Sequence, residues 1–210
     1  MKNIGLLFLI IFMSYITGCS QTKPSRYYVL SPIKDTAPLS ASDPNKKYII
    51  GVGPIKFPKY LTRSQIIHFS GNNEIIVDEY NRWAEPVAQN VTRVLRTNLI
   101  KLLPSSYAIG YPWERALNVH YQLMLDIHQF EAGPDGTVTL NAHWTIYNVS
   151  ETKYIEVIRH FKYSNKIKEI NYSNIFAEKS KALEKLSIDI TKEIQILLQP
   201  DNAQKTPSSR

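Results

Sequence analysis

The one thiol in this 210-residue chain is the residue best placed to do chemistry. Cys19 ends the run Ile16-Thr17-Gly18-Cys19, directly behind the apolar stretch Ile4 to Phe12 and an early cation at Lys2. A basic start, an apolar core and small residues before a cut make a secretory leader. Here the small residues precede a cysteine, so the cut over residues 1–18 leaves Cys19 as the first mature residue. A thiol at that point can carry a diacylglyceryl group, and the freed amine can take a further acyl chain. Small neighbours open the backbone to the processing enzymes. The alternative, a transmembrane anchor with Cys19 as bystander, needs about 20 apolar residues, more than this run provides.

Other reactive patterns are weak. A hydrolase needs an activated nucleophile with a base in hydrogen-bond reach. The thiol is committed to lipid, no serine sits in a Gly-x-Ser-x-Gly elbow, and the carboxylates are dispersed. No enzymatic activity is expected, and no cofactor beyond the covalent lipid on Cys19. The histidines allow one test. If Gly133 to Gly136 closes a hairpin, apolar in-register pairing sets Asp126 opposite His143 and His128 near Asn141. A second turn at Ser150-Glu151 sets His160 near Asn141 as well. Asp126, His128, His143 and His160 are ligand types that suit zinc. A plain polar sheet face is the simpler reading, and no metal site is expected.

The pattern ending at Cys19 is that of a lipobox, the acylation site of bacterial lipoproteins. One acyl chain holds a protein to a bilayer only marginally, whereas two or three anchor it stably. Ser20, where an Asp is absent, points to the outer membrane, with the domain facing the periplasm. Residues 19–25 form a lipid-anchored tether, and six residues reach roughly 20 Å, so the domain sits close to its membrane. With a single cysteine the fold contains no disulfide. The net charge of +7 is scattered over Lys46, Lys47, Arg93, Arg96, Lys101 and the later lysines. A nucleic-acid surface would gather such charge on one face, so no nucleic-acid partner is expected.

The elements beyond the tether follow from periodicity. Arg26 to Leu30 is aromatic and branched, a short strand. Residues 31–47 carry Pro32, Pro38 and Pro44 and predict a loop. Tyr48 to Val52 predicts a strand stopped by Gly53-Pro54, and Phe57 to Leu61 an extended, kinked segment. Gln65 to Phe69 and Glu74 to Asp78 flank Gly71-Asn72-Asn73 as a hairpin. Val87, Val91, Val94, Leu95, Leu99 and Leu102 recur at helical spacing between Pro86, expected in the first turn, and Pro104. Alternation predicts three long antiparallel strands, around Val119 to Ile127, Val138 to Ile146 and Tyr154 to Tyr163, with Arg159 breaking the pattern on the inner face. A last helix is expected over Asn174 to Leu198, then a flexible tail over 199–210. The expected fold is α+β: one two-layer domain over 26–198, a mostly antiparallel sheet with two amphipathic helices on one face.

Four pieces of the chain match one family in order. They are the lipobox; Tyr27-Tyr28-Val29-Leu30; Val52-Gly53-Pro54-Ile55 followed by Pro58-Lys59-Tyr60-Leu61-Thr62-Arg63; and Asn81-Arg82-Trp83-Ala84-Glu85-Pro86 running into a helix with Arg93-Val94-Leu95 and Asn98-Leu99. The chain resembles the ABC-type transport auxiliary lipoproteins, the group of paraquat-inducible protein C. The resemblance implies a non-enzymatic outer-membrane component of a lipid-transport system that supports envelope integrity. It also implies a partner with mammalian-cell-entry domains, whose conduit crosses the periplasm, and a homo-oligomeric ring that receives its tip.

Candidate partner contacts are Tyr60, Leu61 and Arg63 in one segment and Arg82, Trp83 and Glu85 in the other. Trp83 can bury a large apolar area while Arg82 and Glu85 offer directed polar contacts. The plainer reading makes Trp83, Glu85 and Pro86 a helix entrance, and Tyr60 with Leu61 a loop anchor. A second function from another class is a lipid-binding carrier or assembly chaperone with an apolar pocket between sheet and helices. A third is a purely structural envelope lipoprotein.

Overall fold

The computed structural model describes residues 23–34, 37–39, 48–71, 73–114, 116–149 and 154–198. The leader, Cys19, most of the tether, much of the 31–47 loop, the Ser150-Glu151 turn and the 199–210 tail lie outside them. The fold is α+β. Among the described residues, eight strands form two mixed sheets, and two helices, α1 (Val87–Leu102) and α2 (Tyr172–Leu198), cover the larger sheet. That sheet has the order β5-β2-β6-β7-β8, with β2 Tyr48–Lys56, β5 Ser106–Gly110, β6 Tyr121–Ala132, β7 Thr137–Asn148 and β8 Tyr154–Lys166. The smaller one runs β1-β4-β3, from Arg26–Tyr28, Ile75–Trp83 and Gln65–Phe69.

The expected meander is present as β6-β7-β8, antiparallel throughout. Strict alternation builds it. Val138, Leu140, Ala142, Trp144 and Ile146 of β7 are buried against the helices, while Asn141 and His143 face away. At the turn, Asp135 accepts hydrogen bonds from the Thr137 N–H and hydroxyl, and Gly136 takes a positive φ of 81°. The pairing of Asp126 with His143 follows the apolar register. A bulge then skips His128 and pairs Gln129 with Asn141, so His128 is not the residue opposite Asn141. His160 pairs with His143 along the backbone, yet its ring reaches Asn141, as expected.

The rest of the large sheet departs from the antiparallel expectation. β2 pairs parallel with both β5 and β6. Strand β5 is short and ends in glycine, which hides it from an alternation test, and α1 provides the long crossover that a parallel pair needs. Nor does β2 stop at Gly53-Pro54. It continues to Lys56 through a register shift between Val52 and Ile55, the kind of irregularity that lets a proline sit inside a sheet.

Arg159 finds its explanation here. It pairs with the buried Trp144, yet β8 is an edge strand, so its inward side chain reaches Glu193 on α2 at 3.2 Å. Strand β4 runs on to Trp83, past its expected end, and the segment after Phe57 contains a 3-10 turn, Lys59–Thr62. Pro86 occupies the cap of α1 rather than its first turn. Helix α2 starts two residues earlier than periodicity suggests because Asn171 caps it, its side-chain oxygen accepting the Asn174 N–H at 2.9 Å.

Candidate functional site

The two segments expected to contact a partner lie side by side. The Trp83 N–H donates to the Ser64 carbonyl at 2.7 Å, and Gln65 pairs with Arg82. Their side chains divide between core and surface. Leu61 and Trp83 are buried, each 7% exposed. Trp83 meets the edge of Phe176 at 4.7 Å and lies over Phe130 at 6.4 Å, so its large apolar area is already spent inside the molecule. Tyr60 is half-buried against Phe69, and burial followed by the field of Glu131 raises its hydroxyl pKa. Arg63 is exposed. Arg82 lies back on its own strand, its Nε donating to the Glu79 carbonyl at 3.1 Å. Glu85 is taken by Arg93 at 2.8 Å.

Asn81, just before this pair, serves Asp78. The Asp78 carboxylate accepts hydrogen bonds from Asn81 N–H and Nδ2, the Tyr80 N–H and the Tyr172 hydroxyl. Burial pushes the Asp78 pKa up, but these four donors outweigh it and the net direction is down. The same contact raises the pKa of Tyr172, after burial. The small sheet is thereby tied to the start of α2, where Tyr28 also stacks on Phe176 at 5.0 Å.

A second set of polar residues was not legible as such. Asn90, Arg93, Asn98 and Lys101 form a row along α1 that holds the strap following β1. Asn90 accepts the Leu30 N–H at 3.1 Å and Asn98 the Ile33 N–H at 2.9 Å. Arg93 donates to the Leu30 carbonyl, and Lys101 to the carbonyls of Ile33 and Lys34. Asn98 turns its Nδ2 to Ser187 of α2 at 2.9 Å. Both asparagines are fully buried in an otherwise apolar stripe, and that was the available clue: polar residues at core positions must bond to something. The strap follows β1, so this row fixes the N-terminal end of the described domain to α1 and, through Ser187, to α2.

Periodicity also missed Lys179, which occupies a buried position of α2 at 3% exposure. Its ammonium faces the rings of Phe130, Trp83 and Phe176 at 5.0, 5.1 and 5.5 Å. Burial pulls its pKa down to about 8, opposed by Glu131. Glu131 is itself raised by burial, against the Phe130 N–H that it accepts at 2.7 Å and the charge of Lys179.

On the outer sheet face, His128 and His143 share a ring-to-ring hydrogen bond at 2.9 Å, and His160 bonds to Asn141 at 2.7 Å. The three rings do gather, with His143 and His160 centred 4.8 Å apart. Among the described residues, no group of three or more His, Cys, Asp or Glu side chains has a geometry that could hold a metal ion.

Residues 28–191, from the first strand to deep in the last helix, match the family of ABC-type transport auxiliary lipoprotein components. The chain belongs to this family. The intermembrane transport lipoprotein PqiC of Escherichia coli (strain K12) is 23% identical over 133 residues, 63% of this chain and 68% of that protein. A solved structure from Xanthomonas campestris shares the fold with a TM-score of 0.68 at 14% identity, over 85% of this chain and all of the other. An uncharacterized protein superposes with a TM-score of 0.67 at 19% identity, over 82% of this chain and 99% of that one. By family, then, this auxiliary lipoprotein is a component of an ABC-type transport system. Among its described residues no helix is long and apolar enough to cross a membrane.

Proposed function

We propose that this auxiliary lipoprotein is anchored in the outer membrane through acyl chains on Cys19. There it docks the periplasm-spanning conduit of a lipid-transport system. The conduit partner is a protein with mammalian-cell-entry domains, and copies of the chain assemble as a ring around its tip. The role is positional: the lipoprotein holds one end of the path in place and changes no covalent bond in the cargo.

The observation that carries this reading is the family match over 28–191 placed directly behind a lipobox. The strap supports it mechanically. A pull on the tether is delivered at Leu30 and Ile33 into buried hydrogen bonds on α1, not into a loose loop. Tyr27 of edge strand β1 and Val29 just after it are exposed, an apolar surface suited to a subunit seam. Arg63 and the outer sides of Tyr60, Arg82 and Glu85 are the candidate contacts for the conduit.

Fractionation of cells expressing Cys19→Ala tests the anchor. The variant is expected to leave the outer membrane and to bring down less of the conduit protein. Recovery of the variant in the outer membrane would reject the anchor, and a monomeric mass for the native lipoprotein would reject the ring.

A further inference from the structure

A cavity of about 380 Å³ opens between the β3-β4 hairpin, the β6-β7 turn and the first turns of α2. This lies within the range of about 300–1,000 Å³ for small-molecule sites. Its apolar wall is made by Ile66, Ile67, Phe69, Ile76, Ile170 and Ile175. Two of these, Ile76 and Ile170, are exposed at 43% and 58%, so the mouth is apolar as well as the interior. Lys179 also lines it.

Lys179 is what distinguishes the cavity from a packing defect. A buried ammonium carries three donors and is costly to keep unless something accepts from it. Among the described residues it has no hydrogen-bonding partner; its neighbours are three ring faces, which take charge but accept no directed hydrogen bond. Glu131, whose charge acts on it, is turned to the Phe130 N–H, which it accepts at 2.7 Å. The side chain therefore offers an anion site at the end of a greasy pocket.

We propose that this cavity binds a single-chain amphiphile of the fatty-acid class, its carboxylate meeting the Lys179 ammonium and its chain leaving between Ile76 and Ile170. A carboxylate supplies the acceptor that the protein withholds. The apolar walls take the methylenes of the chain out of water. The volume suits one chain. This site is independent of the docking role and does not require Cys19 or a second copy of the chain.

The test uses the purified full chain, a diazirine-bearing palmitate and peptide mapping after illumination. Adducts are expected within residues 65–76 and 170–179, with free palmitate competing at least tenfold better than its methyl ester. Lys179→Met should abolish that preference for the acid while leaving the ester able to compete. Ile170→Trp, at a position 58% exposed, should cut labelling at least fivefold, and it decides the matter if Lys179→Met does not fold. Adducts confined to the apolar leader or scattered over the surface would overturn the proposal. So would an ester that competes as well as the acid, or an acid preference that survives Lys179→Met.

Discussion

Asn98 accepts the Ile33 N–H at 2.9 Å, which joins the strap behind β1 to the later turns of a helix 65 residues further along. The same amide donates to Ser187, so one buried side chain ties strap, α1 and α2 together. Truncation leaves the Ile33 N–H to be satisfied elsewhere, while the Ser187 hydroxyl keeps its bond to the Leu183 carbonyl. Asn98→Ala is expected to cost about 1–3 kcal/mol, the penalty of orphaning a buried donor. Urea unfolding of that variant should show a lower midpoint. Gln89→Ala, on the exposed side of the same helix, should fall within about 0.5 kcal/mol of the parent.

Gly53 makes a different demand. Its φ of 116° is one that side-chain-bearing residues rarely adopt, and an added Cβ would stand 2.8 Å from the Cβ of Tyr111. Gly53→Ala should therefore destabilise by about 1–3 kcal/mol or more. Gly71→Ala, where nothing lies within 4 Å of the new methyl, should be close to neutral. Thermal melts of the pair separate backbone demand from a general intolerance of alanine.

Lys179 should give stability a rising slope in alkali. Its pKa falls from the ordinary 10.5 to about 8 on burial, so between these values the unfolded chain holds more protons than the folded one. Stability then increases with pH across that window, by a total on the order of 3 kcal/mol. The facing carboxylate, Glu131, has its pKa raised from 4.5 by burial, so its own contribution declines as pH rises through the acidic side and does not mimic the effect. Tyr60, Tyr163 and Tyr172 have raised pKa values and keep their protons longer when folded, which costs stability above pH 10. Unfolding free energies measured between pH 8 and 10 should climb in the parent and stay flat in Lys179→Met.

Trp83 and Arg63 should separate folding from docking. Trp83→Ala empties the contact with Phe130, Phe176 and Lys179 and should cost about 3–5 kcal/mol. Arg63→Ala removes an exposed side chain and should change stability by less than about 0.5 kcal/mol while reducing recovery of the conduit protein from envelope extract. Undiminished recovery with Arg63→Ala would remove that residue from the docking surface.

What the chain determined locally is what periodicity and punctuation carry. The amphipathic face of α1, the alternation of β6 and β7, and the Gly133 to Gly136 turn each depend on residues close in sequence, and each was legible there. The parallel pairing of β2 with β5 and β6 was not, because nothing in a strand states which distant strand lies beside it. The bulge at His128 was likewise hidden, and it puts Gln129 instead of His128 opposite Asn141. The same holds for Lys179 and Asn98. By type they belong on a solvated face, and only folding shows that one sits among three rings and the other on the strap. Short-range patterns record which side of an element is apolar; the partners of a buried polar group come from chain segments brought together by the tertiary fold, and only there is their charge or hydrogen bonding decided.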